Sequence, residues 1–277
     1  MAGGSFAPRS LLFVPGDRPD MAAKVPRWSP DATVVDLEDA VRARDKERAR
    51  QDCVAAAAGL AGTATVALIR VNPFRSRWFA DDVRAVAGSA AQGVVLPKYE
   101  STEALQAVRA ELPDALIVVG LESARGVAAS RDLLSGGADA VYFGAEDYIA
   151  DVGGRRTAAG YEVLHARSEV MMAARLAGIS AIDQAVVAVR DDDAFLADAE
   201  AGRAIGYAGK ICLHPRQVGL SHQVFTPTPG EVAHARRVLE ATATAGVTTV
   251  GGQMVDEVHV RLARQTLARA RPGPGAP

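Results

Sequence analysis

The chain has 277 residues, enough for one large domain or two small ones, and its 49% hydrophobic and 23% charged residues are the balance of a soluble globular protein. A net charge of −2 gives no broad electrostatic case for nucleic acid or a membrane surface, and no apolar run nears the roughly 20 residues that cross a bilayer. Cys53 and Cys212 stand far apart without metal-like spacing, and the opening MAGGSFAPRS lacks a basic region followed by an apolar core, so a reduced, cytoplasmic protein without a signal peptide is expected.

Along the chain, short apolar runs alternate with Ala-, Leu- and Arg-rich segments of helical spacing. The first run, 11–14, is turned by Pro15, Gly16 and Asp17. Runs follow at 32–39, 66–72, 93–98, 116–122, 140–147, 179–183 and 210–215. Helical segments are predicted at 45–60, 79–91, 102–112, 161–177 and 191–206, with Ser101 as an N-cap. Eight alternating units predict a parallel α/β fold, and eight is the number that closes a TIM (β/α)8 barrel. A doubly wound open sheet is the rival, but no G-x-G-x-x-G follows the first strand. The barrel is expected over 1–225. Pro227, Pro229 and Gly230 then mark a break, and residues 226–277 are expected to form a C-terminal helical arm or lid, packing on its own or an adjacent subunit. That arm has helices at 231–245 and 257–270 and a disordered tail at 271–277.

Most of these runs end in polar residues. Asp36, Glu38 and Asp39 follow the second, and Arg70 and Asn72 end the third. Lys98 ends the fourth, Glu122 the fifth, and Glu146 and Asp147 the sixth. Asp183 closes the seventh and His214 the eighth. In a parallel barrel these ends open on one face, where active sites are built. Neighbouring acids such as Glu122 and Asp147 suit a hard cation such as Mg²⁺; taken singly, each also reads as a solvated strand cap. Arg70 is read either as a substrate contact or as a partner of Asp36 or Glu38. Lys98 is read as a Schiff-base lysine or, surrounded by acids, as an ion-pair partner.

Several blocks resemble the citrate lyase β-subunit-like family of the HpcH/HpaI aldolase superfamily. They are 9–16 (RSLLFVPG), 36–41 (DLEDAV), 70–72 (RVN), 96–98 (LPK), 121–126 (LESARG), 143–147 (FGAED), 213–215 (LHP) and 252–256 (GQMVD). The resemblance implies a TIM barrel, Mg²⁺, a CoA-thioester substrate with a 2-oxo acid product, and a homotrimer or hexamer. It implies Glu122 and Asp147 as metal ligands, and Arg70 as the group that holds the substrate and steadies an enolate. It implies Asp256 in proton transfer, delivered to an adjacent subunit. Arg18 and Lys24 are implied as contacts to CoA, and Glu38 and Asp39 as acids that position substrate or the metal's water. The implied reaction is carbon–carbon cleavage, or formation, of a short β-hydroxyacyl-CoA such as citramalyl-CoA or malyl-CoA, giving acetyl-CoA and pyruvate or glyoxylate. The alternatives are a metal aldolase on free 2-oxo acids and a citrate lyase β subunit that works only within a complex.

Overall fold

The computed structural model describes residues 6–243 and 246–270. The tail expected to be disordered, the last two residues of the helix expected at 231–245, and the first five residues lie outside them. The chain divides into two compact units, residues 1–222 and 223–277.

In the first unit eight parallel strands close a barrel in sequence order: β1 (Ser10–Pro15), β2 (Ala32–Asp36), β3 (Val66–Arg70), β4 (Gly93–Leu96), β5 (Leu116–Leu121), β6 (Ala140–Phe143), β7 (Ser180–Asp183) and β8 (Gly209–Cys212). Strand β1 pairs with β2 from Leu11↔Ala32 to Pro15↔Asp36, and with β8 from Ser10↔Lys210 to Leu12↔Cys212. The sheet therefore has no edge, and the closed barrel stands in place of the open sheet. Around it run α1 (Pro19–Ala22), α2 (Lys46–Leu60), α3 (Phe79–Ala87), α4 (Thr102–Glu111), α5 (Ala124–Ala128), α6 (Ser130–Leu134), α7 (Ala145–Asp151), α8 (Tyr161–Ala177) and α9 (Asp192–Ile205). Ser101 caps α4, accepting from the amide of Glu103.

Alternate residues of each strand face the barrel axis, and the rest face the helices. Leu11, Ala32, Val34, Leu68, Val95, Val118, Ala140, Tyr142, Ile182 and Ile211 form the interior. Both faces are buried, which is why the strands read as unbroken apolar runs. Extending the inward parity places Asp36 of β2, Arg70 of β3 and Glu122 after β5 on the interior side of the C-terminal mouth.

The same parity corrects one expectation. Ile182 and Ile211 point inward, so Asp183 and Lys210 point outward, between the sheet and its helices. There Arg167 of α8 donates to Asp183 at 2.8 Å, and Lys210 Nζ donates to Asp183 at 2.8 Å and to Asp198 of α9. Asp183 thus belongs to a buried ionic network outside the barrel and not to the mouth. A second correction concerns β6, which ends at Phe143. The amide of Gly144 makes a last bond to Leu121 O at 3.0 Å, and Glu146 and Asp147 fall in the first turn of α7, where acids complement the helix dipole. Likewise β8 stops at Cys212, and Pro215 opens α10 (Pro215–Phe225), a position proline favours.

In the second unit α11 (Pro229–Thr242) begins with a capping box between Thr228 and Glu231. The stretch before the last helix is an antiparallel hairpin of β9 (Thr248–Val250) and β10 (Gln253–Val255), turned by Gly251 and Gly252 at φ 61° and 81°. Helix α12 (Glu257–Arg269) follows, and Ala235, Val238, Val250, Val255 and Ala263 form this unit's own core. Among the described residues no helix is long and apolar enough to cross a membrane.

Candidate active site

Glu122 sits one residue past β5 and is 2% exposed. The hydroxyl of Tyr142, on neighbouring β6, donates to its Oε1. Its Oε2 has no hydrogen-bond partner among the described residues. Two glycines make room for the pair. A Cβ on Gly120 would collide with Glu122 Oε1 and the end of the Tyr142 ring, and one on Gly144 with the Glu122 Cγ. Burial pushes the Glu122 carboxyl up to about 7, against the opposing pull of Arg70 and the Tyr142 hydrogen bond; Glu38 and Asp147 add to the rise.

Arg70 is braced from the next strand. Its Nε and Nη2 donate to the two Asp36 oxygens at 2.7 and 2.6 Å, and its Nη1 lies 3.1 Å from Glu38 Oε2. Asp36 also accepts from the amides of Glu38 at 2.8 Å and Ala40 at 3.1 Å, so the brace is itself fixed. Burial works against the Arg70 charge, but Asp36 more than offsets it and raises the guanidinium pKa well above its ordinary value. The pairing weighed against a substrate role is therefore present. It orients a fork that keeps a permanent charge beside the strand-two acids.

Lys98 joins the strand-two acids to Asp147. Its Nζ donates to Glu38 Oε1, lies 3.3 Å from Asp39 Oδ2 and 3.6 Å from Asp147 Oδ1. Burial disfavours its charge, but Glu38 and then Asp39 and Asp147 hold the amine as ammonium, raised above its ordinary value. A lysine held this way is an ion-pair partner and a poor Schiff-base nucleophile. Its backbone is left-handed at φ 48°, a conformation costly for a residue with a Cβ. Around it burial raises the Glu38 carboxyl pKa, while Lys98 and Arg70 overcome burial at Asp39 and lower it.

Glu122, Asp147 and Lys98 line one cleft of about 670 Å³, walled by Pro73, Phe74 and Tyr99, with Arg75 and Arg125 at its side. A wider depression at 188–193 and Arg216 carries acids already used: Asp191 caps α9 and Asp192 pairs with Arg216. The cleft suits a hard divalent cation. Its donors are carboxylate oxygens, one buried oxygen is unpartnered, and the neighbouring acids repel one another. Among the described residues no three His, Cys, Asp or Glu side chains gather as a complete cage. Mg²⁺ needs none, since it binds through one or two carboxylates, waters and substrate oxygens.

Arg18 donates to Asp20 at 2.8 Å and Lys24 lies 3.6 Å from it; both are more than half exposed, and neither lines the cleft. Asp256, in the second unit, caps α12. It accepts from the amides of Val258 at 3.0 Å and His259 at 3.4 Å and lies 2.8 Å from His259 Nδ1. His259, ahead of the cap amides, lowers its carboxyl pKa below the ordinary value, the opposite of what a proton donor needs. Tyr142, Gly120 and Gly144 are residues the sequence reading missed. The signal for the glycines was their place two residues before an acid, Gly120 before Glu122 and Gly144 before Glu146.

The family model for HpcH/HpaI aldolase/citrate lyase matches residues 9–215. The chain belongs to this family. It is 46% identical to a citrate lyase subunit beta-like protein of Deinococcus radiodurans, covering 94% of this chain and 96% of the relative. It is 31% identical to a (3S)-malyl-CoA thioesterase of Cereibacter sphaeroides, covering 95% and 94%. Among solved structures it is similar to protein CitE from Mycobacterium tuberculosis in complex with magnesium, acetoacetate and coenzyme A, with a TM-score of 0.83, 29% identity and coverage of 96% and 99%. The closed eight-stranded barrel is thus the fold of its family.

Proposed function

We propose that this protein is a Mg²⁺-dependent carbon–carbon lyase that cleaves, or forms, a short β-hydroxyacyl-CoA such as citramalyl-CoA or malyl-CoA. The observation that carries the reading is the cleft lined by Glu122 and Asp147, with one Glu122 carboxylate oxygen buried and unpartnered among the described residues. The family relatives whose names carry citrate lyase and malyl-CoA, and the CitE complex with magnesium and coenzyme A, support it.

In this reading Glu122 and Asp147 hold the metal, which, when bound, supplies Lewis acidity toward the oxo-acid oxygens. Glu38 and Lys98 fix the wall from which Asp147 reaches the cleft. Cleavage passes the hydroxyl proton to the Asp256 carboxylate, turns the carbinol carbon into the oxo-acid carbonyl and sends the carbon–carbon bonding pair into the thioester, which becomes an enolate. Arg70, locked by Asp36, steadies the enolate oxygen with a charge that cannot be lost. Protonation of the enolate carbon gives acetyl-CoA. Asp256 is assigned that transfer, with the arm 226–277 reaching a barrel mouth in a homotrimer or hexamer of a cytoplasmic enzyme. Its cap on α12 then has to loosen for the carboxyl to carry a proton. Arg18 and Lys24, exposed after β1, are assigned to the CoA phosphates, and Glu38 and Asp39 to positioning substrate.

The test is a panel of hydroxyacyl-CoA esters given to the purified chain with Mg²⁺ or with chelator. Mg²⁺-dependent release of acetyl-CoA and a 2-oxo acid is expected. No such release from any ester overturns the reading. A second reading, thioester hydrolysis, is favoured by the (3S)-malyl-CoA thioesterase relative. It is told apart by free CoA appearing without acetyl-CoA.

A further inference from the structure

We propose that Tyr142 is a positioning residue for Glu122: it engages Oε1 and so turns Oε2 alone toward the cleft. The inference rests on Glu122 as a metal ligand and adds what aims it. Tyr142 belongs to the barrel interior, where a phenylalanine or leucine would fill the same space. Its ring is fixed edge-on against Phe13, with centroids 6.1 Å apart and planes at 75°. Its register partner on β5 is Gly120, and only the missing side chain there admits the hydroxyl and the Glu122 oxygen together. Gly144 clears the other side of the Glu122 stem.

A tyrosine hydroxyl buried this deeply needs a partner. Among the described residues the hydroxyl donates to Glu122 Oε1, and the second carboxylate oxygen has no partner. A tyrosine serving packing alone explains neither the absent Gly120 side chain nor a buried carboxylate with one oxygen engaged and the other bare. Groups that hold a metal-binding side chain in this way typically change metal affinity by about 10–100-fold when removed.

The experiment measures Mg²⁺ binding to the substrate-free full chain by calorimetry, for wild type, Tyr142→Phe and Glu122→Gln. A tyrosine ultraviolet difference spectrum is recorded on adding Mg²⁺. The proposal expects Y142F to bind about tenfold more weakly or worse, and E122Q to lose binding. It also expects a tyrosine difference band in wild type that is absent in Y142F. If E122Q loses binding while Y142F binds as wild type does, the positioning role falls and the metal site stands. If E122Q binds as wild type does, the metal site falls and the inference with it. Should Y142F not fold, the wild-type spectrum still decides, because saturation without a tyrosine band overturns the proposal.

Discussion

Replacing Glu122 with glutamine keeps the side chain's shape and removes its charge. In the metal-free protein burial pushes the Glu122 carboxyl from the ordinary 4.5 up to about 7. That difference disfavours the charged form by about 3 kcal/mol. The folded-state value lies above the unfolded one. The stability tied to this group is therefore fully present below the ordinary value and is lost as pH rises through about 7. Glutamine has no such loss. Its amide leaves buried donors unpaired, at about 1–3 kcal/mol, but that penalty does not vary with pH. Relative to wild type, E122Q should therefore gain about 2–3 kcal/mol between about pH 4.5 and about pH 8.5. For a barrel of this size that is roughly 4–12 °C in relative Tm. The assay is thermal unfolding of both proteins in chelator at the two pH values. A Tm difference that stays constant between them would refute the argument.

Gly144→Ala should crowd the Glu122 stem without straining the backbone, since Gly144 sits at φ −94°. It should lower Mg²⁺-dependent turnover at least about tenfold and stability by about 1–3 kcal/mol; turnover and Tm both at wild-type values would remove Gly144 from the site. Lys210→Met strips a buried cation from Asp183 and Asp198 and should destabilise by about 3–5 kcal/mol. Urea unfolding measures it, and a loss under about 1 kcal/mol would mean Arg167 alone satisfies both acids. If Asp256 acts on a neighbour, mixing Asp256→Asn with Glu122→Ala chains, each inactive, should restore part of the turnover. No recovery in verified mixed oligomers counts against action between subunits.

The strand count was legible because barrel strands buried on both faces leave continuous apolar runs. The same continuity hid which residues point inward. In a run without alternation Asp183 reads as a mouth residue, and only the parity set by Ile182 and Ile211 turns it outward with Lys210. Tyr142 was invisible for a related reason: within AVYF it is one more bulky core residue until Gly120 and Glu122 are set beside it. The site's acids were readable because Gly-terminated runs ending in carboxylates are conspicuous. The helical setting of Asp147 was not, because AED continues the apolar run into the first turn of α7 without a break. In the second unit the Gly251–Gly252 pair carried a hairpin signal, but strands of three residues are too short to show a period.

The ionic network outside β7 and β8 bears on how the barrel comes apart. These two strands share two registered pairs, Ile182↔Gly209 and Asp183↔Lys210, the fewest of any seam; β1 and β2 share five. Where the backbone ladder is short, Lys210 and Arg167 clasp strand to strand and strand to helix through Asp183 and Asp198. A seam fastened by side-chain charge is the natural place for sub-global opening. In native-state hydrogen exchange the amide of Ala208, which donates to Ala181 O at 2.9 Å across this seam, should lose protection ahead of those in β2 and β3, and loosening the clasp by substitution should widen that gap. The barrel then behaves as a ring with one latch, set one strand before the point where β8 rejoins β1.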